Sequence, residues 1–145
     1  MKEFKLVRVD DKAVLPKQQR AGDAGFDLYA LLDEPLVLPA FTPMAIRTGW
    51  KIAIPEGYEG QVRPRSGLAK IGVTVANAPG TIDANYRGEL VVLLICNNGD
   101  YYTIKPGERI AQLLIKEVPE FKAVEVESFD GQTERGENGF GSSGK

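Results

Sequence analysis

The stretch "GELVVLLICNNGDYYTIKPGERIAQLLIKEV", residues 88–118, decides the fold class of this chain. Its apolar runs are short, and they are separated by Asn98-Gly99 and by the "KPG" of residues 105–107. Short apolar or alternating runs between turn residues are typical of β-strands, because helices need longer runs with a period near 3.6 residues. Asn98-Gly99 between two such runs is a signal for a β-hairpin. The stretch therefore predicts strands joined by tight turns.

The same pattern extends in both directions along the chain. Strand-like runs include "EFKLVRV" at 3–9 and "MAIRTGWKIAI" at 44–54, and "FKAVEVESF" at 121–129 continues the alternation. The exception is "SGLAKIG" at 66–72, where we expect Ser66 to cap one short helical turn. Many short strands in 145 residues favour one all-β domain, a jelly roll or β-sandwich-like barrel, because closure protects the edges of a sheet.

Composition excludes several kinds of partner. Apolar residues make up 43% of the chain and charged residues 26%, and the net charge of −2 gives no general nucleic-acid or membrane surface. The longest apolar run, residues 90–96, is too short to span a bilayer, and the N-terminus alternates charged with apolar residues, unlike a signal peptide. We therefore expect a cytoplasmic protein. The single cysteine, Cys96, is expected to be a small buried apolar residue.

The chain contains no histidine. This excludes Ser-His and Cys-His nucleophiles, histidine zinc sites and histidine general bases. With only one cysteine, thiolate metal clusters are excluded as well. Catalysis would have to use carboxylates, hydroxyls, arginine or lysine, together with a hard metal such as Mg²⁺, which prefers oxygen ligands.

The last residues, "DGQTERGENGFGSSGK" at 130–145, are polar and rich in glycine. They partly match the dinucleotide fingerprint and the P-loop, but both motifs need a following helix, and none follows here. The composition is typical of a disordered terminus. Arg135 and Phe140, however, are suited to binding a phosphate and to stacking on a base, so a nucleotide-binding role stays open.

Four other stretches carry polar residues that are ordinary when each is taken alone. Arg65-Ser66-Gly67 at a helical turn suits an anion, but it is also a simple capped turn. Asp83 lies in a turn-rich hairpin, where acidic residues are usually solvated. Gln112 interrupts an apolar strand, as an outward-facing residue would, and Asp27 follows two glycines at the start of a strand.

Their order along the chain is more specific. The stretches "AGDAGFDLYA", "RPRSGLA", "NAPGTIDANYRGEL", "PGERIAQLLI" and "RGENGFGSSG" resemble the five motifs of the trimeric dUTP pyrophosphatase family, and the resemblance covers nearly the whole chain. It implies a jelly-roll domain at residues 1–130 and a mobile, glycine-rich C-terminal arm at 131–145. It also implies a homotrimer with three shared active sites, where the arm closes over a neighbouring subunit's site.

The resemblance further implies hydrolysis of dUTP to dUMP and pyrophosphate, which limits uracil in DNA and supplies dUMP for thymidylate synthesis. Asp83 would hold the water that attacks the α-phosphorus, and Tyr86 would lie under the deoxyribose. Mg²⁺ would be held mainly by the triphosphate and water, with Asp27 in the surrounding polar shell. The substrate-binding residues implied in this way are Arg65, Ser66, Gly67, Asn77, Gly80, Ile82, Tyr86, Gln112, Arg135, Phe140, Gly141, Ser142 and Ser143.

Two alternatives remain open at this point. The dCTP deaminases share the fold and place a deaminating glutamate on the strand after the hairpin; the corresponding register, counted from Gly88, falls on Leu93 here. No general acid or base for deamination is visible. The second alternative is a nucleotide-binding trimer without catalytic activity, since all five motifs could bind without turnover.

Overall fold

The computed structural model of the chain describes residues 2–139. Within this range it confirms a nearly all-β chain with one short helical turn. No helix among these residues is long and apolar enough to cross a bilayer. The elements in chain order are β1 Lys5–Arg8, β2 Phe26–Tyr29, β3 Leu36–Leu38, β4 Met44–Ala53, β5 Tyr58–Arg63, α1 Ser66–Ala69, β6 Val73–Val75, β7 Gly80–Ile82, β8 Glu89–Cys96, β9 Tyr102–Ile104 and β10 Arg109–Glu117.

The strands form antiparallel sheets. One four-stranded sheet has the order β1-β4-β8-β6, a second has the order β2-β10-β5-β7, and β3 pairs with β9. Strand β8 shows how the sequence specifies this arrangement. Leu90, Val92, Leu94 and Cys96 are fully buried, whereas the alternate residues of the strand are more exposed. The alternation predicted from the sequence therefore places one face of β8 in the core.

The two four-stranded sheets share one apolar core. Leu28 and Leu113 of the second sheet belong to the same buried cluster as Ile46 and Val92 of the first. Burial of each such side chain stabilises the fold by about 1.5–3 kcal/mol. This core holds β2, β5 and β10 in fixed register, and three of the sequence motifs lie on or just beyond these strands.

The hairpin predicted at Asn98-Gly99 is wrong. The chain does turn there, and Gly99 adopts a φ of 82°, but β8 pairs with β4 and β6, whereas β9 pairs with β3. The Asn98 side chain donates to Ile71 O at 3.0 Å and accepts from Asp100 N at 2.9 Å. These contacts redirect the chain to a different sheet instead of folding it back on β8.

The strand predicted at residues 121–129 is also absent. The chain from 118 to 139 contains no strand, and Phe121 and Phe129 are each 91% exposed. Alternation gives a segment the capacity to pair, but a strand also needs a free edge as its partner, and none in residues 2–139 pairs with this one.

The predicted capping role of Ser66 is wrong as well. Ser66 is the first residue of α1, and the N-cap position is occupied by Arg65, with no side-chain cap hydrogen bond. Ser66 is instead exposed at the rim of a cavity beside this helical turn.

Candidate active site

Strand pairing brings three of the sequence motifs together. Gln112 of β10 pairs with Asp27 of β2 on one side and with Arg63 of β5 on the other. The chain leaving β5 then enters α1 beside them. A cavity of about 490 Å³ opens at this point, and it is lined by Gln19, Asp23, Ala24, Gly25, Asp27, Arg65, Ser66, Gly67 and Gln112.

A buried carboxylate organises the floor of this cavity. Asp27 is only 8% exposed, and its Oδ1 lies 2.9 Å from Arg65 Nε while its Oδ2 lies 3.3 Å from Arg109 Nη1. Arg65 also donates from Nη1 to Arg109 O at 3.3 Å. One carboxylate between two guanidiniums leaves a net positive charge, and a buried charge is tolerated only when paired in this way. The floor therefore suits an anionic ligand.

Gln112 is fixed in the same cavity. Its Nε2 donates to Pro64 O at 2.8 Å, so its carboxamide is oriented by the segment between β5 and α1. A Cβ at position 25 would lie 2.4 Å from Gln112 Oε1, so this position has room for glycine only. Ser66 and Gly67 are exposed at the rim, and nothing lies within 4 Å of where a Gly67 Cβ would stand. A ligand can thus approach the Gly67 backbone closely.

Asp83 lies in a different part of the molecule. Strands β6 and β8 pair antiparallel, and the connection between them carries β7, which crosses to pair with β5. Asp83 follows β7 directly and starts a turn closed by Tyr86 N donating to Asp83 O at 3.0 Å. A cavity of about 410 Å³ lies against this turn, lined by Glu56, Asp83, Ala84, Asn85 and Arg87.

Tyr86 is held against the backbone of the same connection. Its hydroxyl donates to Glu89 O at 2.9 Å, and a Cβ at Gly88 would lie 2.3 Å from that hydroxyl oxygen. The ring is nevertheless 41% exposed, so one side stays open to a ligand. Nearer the start of the connection, Gly80 is buried, Asn77 is exposed and Ile82 is partly buried.

The structure does not bring all of the predicted site residues together within one chain. None of the four cavities described in residues 2–139 is lined by both Asp83 and Arg65. A third cavity, of about 410 Å³, is lined by Arg63, Pro64, Ala78, Pro79 and Gln112, and so adjoins the start of the 77–89 connection.

Arg135, the one predicted site residue of the C-terminal segment within residues 2–139, lines neither the cavity around Asp27 nor the one beside Asp83. Arg135 is exposed and donates from Nε to Asn138 O at 2.9 Å, which is a local contact. Phe140, Gly141, Ser142 and Ser143 lie outside the described residues.

Few carboxylate oxygens near the described cavities are arranged for a metal ion. Among residues 2–139, no three or more histidine, cysteine, aspartate or glutamate side chains are grouped so that they could hold a metal ion. Both oxygens of Asp27 already accept from arginines. The Asp27 carboxylate is therefore already engaged, and an oxygen-preferring ion at this cavity would need oxygen ligands other than Asp27.

Two arginines of the candidate site, Arg109 and Arg87, were not predicted from the sequence. Arg109 contacts Asp27, and Arg87 donates from Nη1 to Ala84 O at 2.6 Å and to Tyr86 O at 2.7 Å. Each lies inside a quoted motif, three residues before Gln112 and four after Asp83 respectively. Their closeness in sequence to Gln112 and Asp83 could have indicated a place in the candidate site.

Comparison with known proteins shows which family this chain matches. A model of the dUTPase family matches residues 11–144. The deoxyuridine 5'-triphosphate nucleotidohydrolase of Fusobacterium nucleatum is 47% identical over 144 residues, which cover 99% of this chain and 97% of that protein. The protein of the same name from Wolbachia pipientis is 53% identical over 133 residues, or 90% of this chain and 87% of that one.

Solved structures give the same result. The dUTPase of Staphylococcus bacteriophage 80alpha with dUPNHPP is similar with a TM-score of 0.88 at 29% identity, covering all of both chains. A mutant dUTPase from phage phi11, whose structure is described with a structural Mg(II) ion, has a TM-score of 0.77 at 25% identity and covers 88% of this chain and 99% of that one. The family match spans most of the chain and includes both cavities, so the chain belongs to the dUTPase family.

Proposed function

We propose that this chain hydrolyses dUTP to dUMP and pyrophosphate. The observation that carries this proposal is the cavity floor, where the Asp27 carboxylate pairs with Arg65 and Arg109 in a group with one net positive charge. Gln112 lines the same cavity and is fixed by its bond to Pro64 O. A triphosphate is the anionic part of the substrate, and guanidiniums are suited to bind its oxygens. Ser66 and the Gly67 backbone at the rim are placed to add further hydrogen bonds.

The uracil and deoxyribose would bind along the 77–89 connection. Asn77, Gly80 and Ile82 lie on the stretch leading to Asp83, and backbone groups there are proposed to recognise the base. The half-exposed ring of Tyr86 would pack under the sugar, where a ribose 2′-hydroxyl would clash. This arrangement would select a deoxyribonucleotide by exclusion.

The chemistry follows from placing Asp83 beside the α-phosphorus. A water molecule held by the Asp83 carboxylate attacks, the new O–P bond forms, and the bond to the bridging oxygen breaks to release pyrophosphate. The carboxylate takes up the proton from the water as a general base. Mg²⁺ carried by the triphosphate would supply charge neutralisation, which phosphoryl transfer requires.

Two features support a homotrimer of jelly-roll subunits with shared sites. Asp83 and Arg65 line separate cavities of one chain, so a single nucleotide would meet both most simply across a subunit boundary. In addition, residues 118–129 expose Phe121, Val124 and Phe129, which are 91%, 67% and 91% accessible. Exposed apolar residues in an unpaired extended segment indicate a surface that a second copy of the chain would cover. Residues beyond 130, including Arg135, would then serve as an arm on a neighbouring subunit's site.

Pyrophosphate release from dUTP and from dCTP tests the reaction itself. We expect release from dUTP with dUMP as the other product. Ammonia release from dCTP would instead favour a deaminase, although Leu93, at the register where the deaminases carry glutamate, is apolar. Binding of dUTP without any product would favour a non-catalytic nucleotide-binding protein.

Subunit complementation tests the shared site. Asp83→Asn and Arg135→Ala are each expected to be nearly inactive, the first without the water-holding carboxylate and the second without a charged contact to phosphate. If one site takes Asp83 and Arg135 from different chains, about a quarter of sites in randomly mixed trimers receive both intact residues. Activity should then reappear on co-expression. Mixed trimers, confirmed by native mass, that stay inactive would show that one chain supplies both residues.

A further inference from the structure

The position of the Asp83 carboxylate is determined by its backbone. Among residues 2–139, no group donates a hydrogen bond to this carboxylate, and the residue is exposed. Asp27 differs, because two arginines hold its side chain. Whatever fixes the turn at residues 83–86 therefore fixes the candidate catalytic group.

Arg87 is the side chain that closes this turn. Its Nη1 donates to Ala84 O at 2.6 Å and to Tyr86 O at 2.7 Å. Both acceptors lie inside the turn that begins at Asp83, and among residues 2–139 the other hydrogen bond across this turn is Tyr86 N to Asp83 O at 3.0 Å. Short hydrogen bonds from a charged donor are among the stronger ones in proteins. A single guanidinium thus ties together carbonyls two residues apart.

The far end of the turn is anchored to the core sheet. The Glu89 carboxylate accepts from Gly49 N at 2.8 Å and from Arg47 Nε at 3.1 Å, and Glu89 O accepts from the Tyr86 hydroxyl. Gly49 lies where the β4–β8 register shifts, between Arg47 and Lys51. The turn is therefore held at its base by Glu89 and across its tip by Arg87.

We propose that Arg87 is a positioning residue, which holds the turn at 83–86 in the conformation that presents Asp83 to the attacking water and does not itself contact the nucleotide. This inference rests on the proposed role of Asp83. Displacement of a catalytic group by about 1 Å can lower a rate about 100-fold, so the loss of this contact is expected to lower kcat and not affinity.

The chain offers a matched control for this proposal. Arg8 also donates from Nη1 to two backbone carbonyls, Asp11 O at 3.2 Å and Ala13 O at 2.7 Å, but it lies on β1 and contacts neither candidate cavity described above around Asp27 or Asp83. Arg8→Ala removes the same kind of contact at a distance from the turn, together with the stacking of the Arg8 guanidinium 4.5 Å over the Trp50 ring. Any general loss of stability should affect both variants.

The experiment compares Arg87→Ala, Arg87→Lys and Arg8→Ala with the unaltered full chain. For Arg87→Ala we expect kcat for dUTP to fall by about 10–100-fold, while the Kd values of dUPNHPP and of deoxyuridine change by less than about threefold. Guanidinium ion added to Arg87→Ala should restore part of kcat, because the side chain is exposed and its place is open to solvent. Arg87→Lys should retain intermediate activity, and Arg8→Ala should keep a normal kcat.

Three results would overturn the proposal. A rise in the Kd of dUPNHPP without a change for deoxyuridine would make Arg87 a phosphate ligand. An unchanged kcat, or a loss that guanidinium does not relieve and that Arg8→Ala shares, would leave only a structural role. An unaltered protein that releases no pyrophosphate from dUTP would remove the proposed function first, and the positioning role with it. If Arg87→Ala does not fold, Arg87→Lys with the same ligands gives the same distinction between kcat and Kd.

Discussion

The two parts of the candidate site are built by different means. At the cavity around Asp27, side chains are held in place: Asp27 is buried between Arg65 and Arg109, and Gln112 is bonded to Pro64 O. At the 83–86 turn, a side chain holds the backbone, and Asp83 itself stays exposed without a described partner. One part is a prearranged group of charges, whereas the other is a prearranged loop.

This difference fits the two tasks that we propose for these groups, triphosphate binding and activation of water. Binding a highly charged triphosphate needs fixed positive charge in a partly desolvated place, where each contact is stronger than in water. Activating a water molecule needs a carboxylate that is free to accept its proton, and a carboxylate already paired with arginine would be a weaker base. Asp27, which organises the cavity, is thus paired with arginines, whereas Asp83, which would react, has no described partner.

Asp83→Asn is expected to have the largest effect, and it tests whether the unpaired carboxylate activates the water. It keeps the size of the side chain but removes the charge that would orient the nucleophile, so we expect turnover of dUTP to fall by about 10²–10⁴-fold. The Kd of dUPNHPP should change little. Glu56→Gln is the matched control, because it removes a carboxylate from the lining of the same cavity. Equal losses in the two variants would show that the negative charge of the cavity matters, and not Asp83 itself.

Arg109→Gln tests the phosphate part. A charged hydrogen bond contributes roughly 1.5–3 kcal/mol, and the lower end applies here because the Arg109 side chain is 45% exposed. We expect the Kd of dUPNHPP to rise about tenfold as Asp27 loses its second arginine and holds Arg65 less firmly, with the Kd of deoxyuridine unchanged. Arg8→Gln controls for the lost charge. If Arg109→Gln raised the Kd of dUPNHPP and the Kd of deoxyuridine equally, a role confined to the phosphates would be contradicted.

Much of the fold could be predicted from the sequence, and the failures have definite physical causes. The alternation in β8 predicted its buried face because one side of that strand lies in the core. Asn98-Gly99 predicted a turn but not its destination, since the Asn98 side chain binds the backbone of Ile71 instead of closing a hairpin. Turn residues determine where a chain bends, whereas strand partners depend on distant contacts.

Candidate site residues were predicted individually only where they matched a family motif, and Arg109 was not among them. Arg109 and Gln112 are three residues apart, and regular alternation would put them on opposite faces of β10. A register shift between Arg109 and Ala111 changes that parity, so that Arg109 reaches Asp27 beside Gln112. No periodicity in the sequence signals such a bulge. The separation of Asp83 from Arg65 within one chain was likewise not signalled by periodicity, and only the family resemblance led us to expect sites shared between subunits.

Tyr86→Ala addresses the specificity of the turn region. If the ring packs under the deoxyribose, its removal should narrow the preference for dUTP over UTP, measured as the ratio of the two kcat/KM values, by about tenfold. Gly88→Ala should act in the same direction, because its new Cβ would lie 2.3 Å from the Tyr86 hydroxyl and displace the ring. Tyr101→Ala, which removes a 62% exposed tyrosine elsewhere, is the control. An unchanged ratio in both Tyr86→Ala and Gly88→Ala would contradict the placement of the ring.

The smallest expected effect concerns the stability of the fold at alkaline pH, through the Tyr102–Glu108 contact next to Arg109. Tyr102 donates to the Glu108 carboxylate just before Arg109, and burial together with that carboxylate raises the pKa of Tyr102 from 10.0 to about 12. Between these values the folded chain keeps a proton that the unfolded chain releases, so this contact stabilises the fold below pH 10 and its contribution is lost as pH rises toward about 12. The effect should be at most about 1 kcal/mol, since solvent screens a partly exposed pair.

Urea unfolding across this range should therefore show a shallower loss of stability in Tyr102→Phe than in the unaltered chain. Tyr101→Phe, which changes an exposed tyrosine, should keep the original slope; equal slopes in all three proteins would show that Tyr102 does not titrate differently on folding.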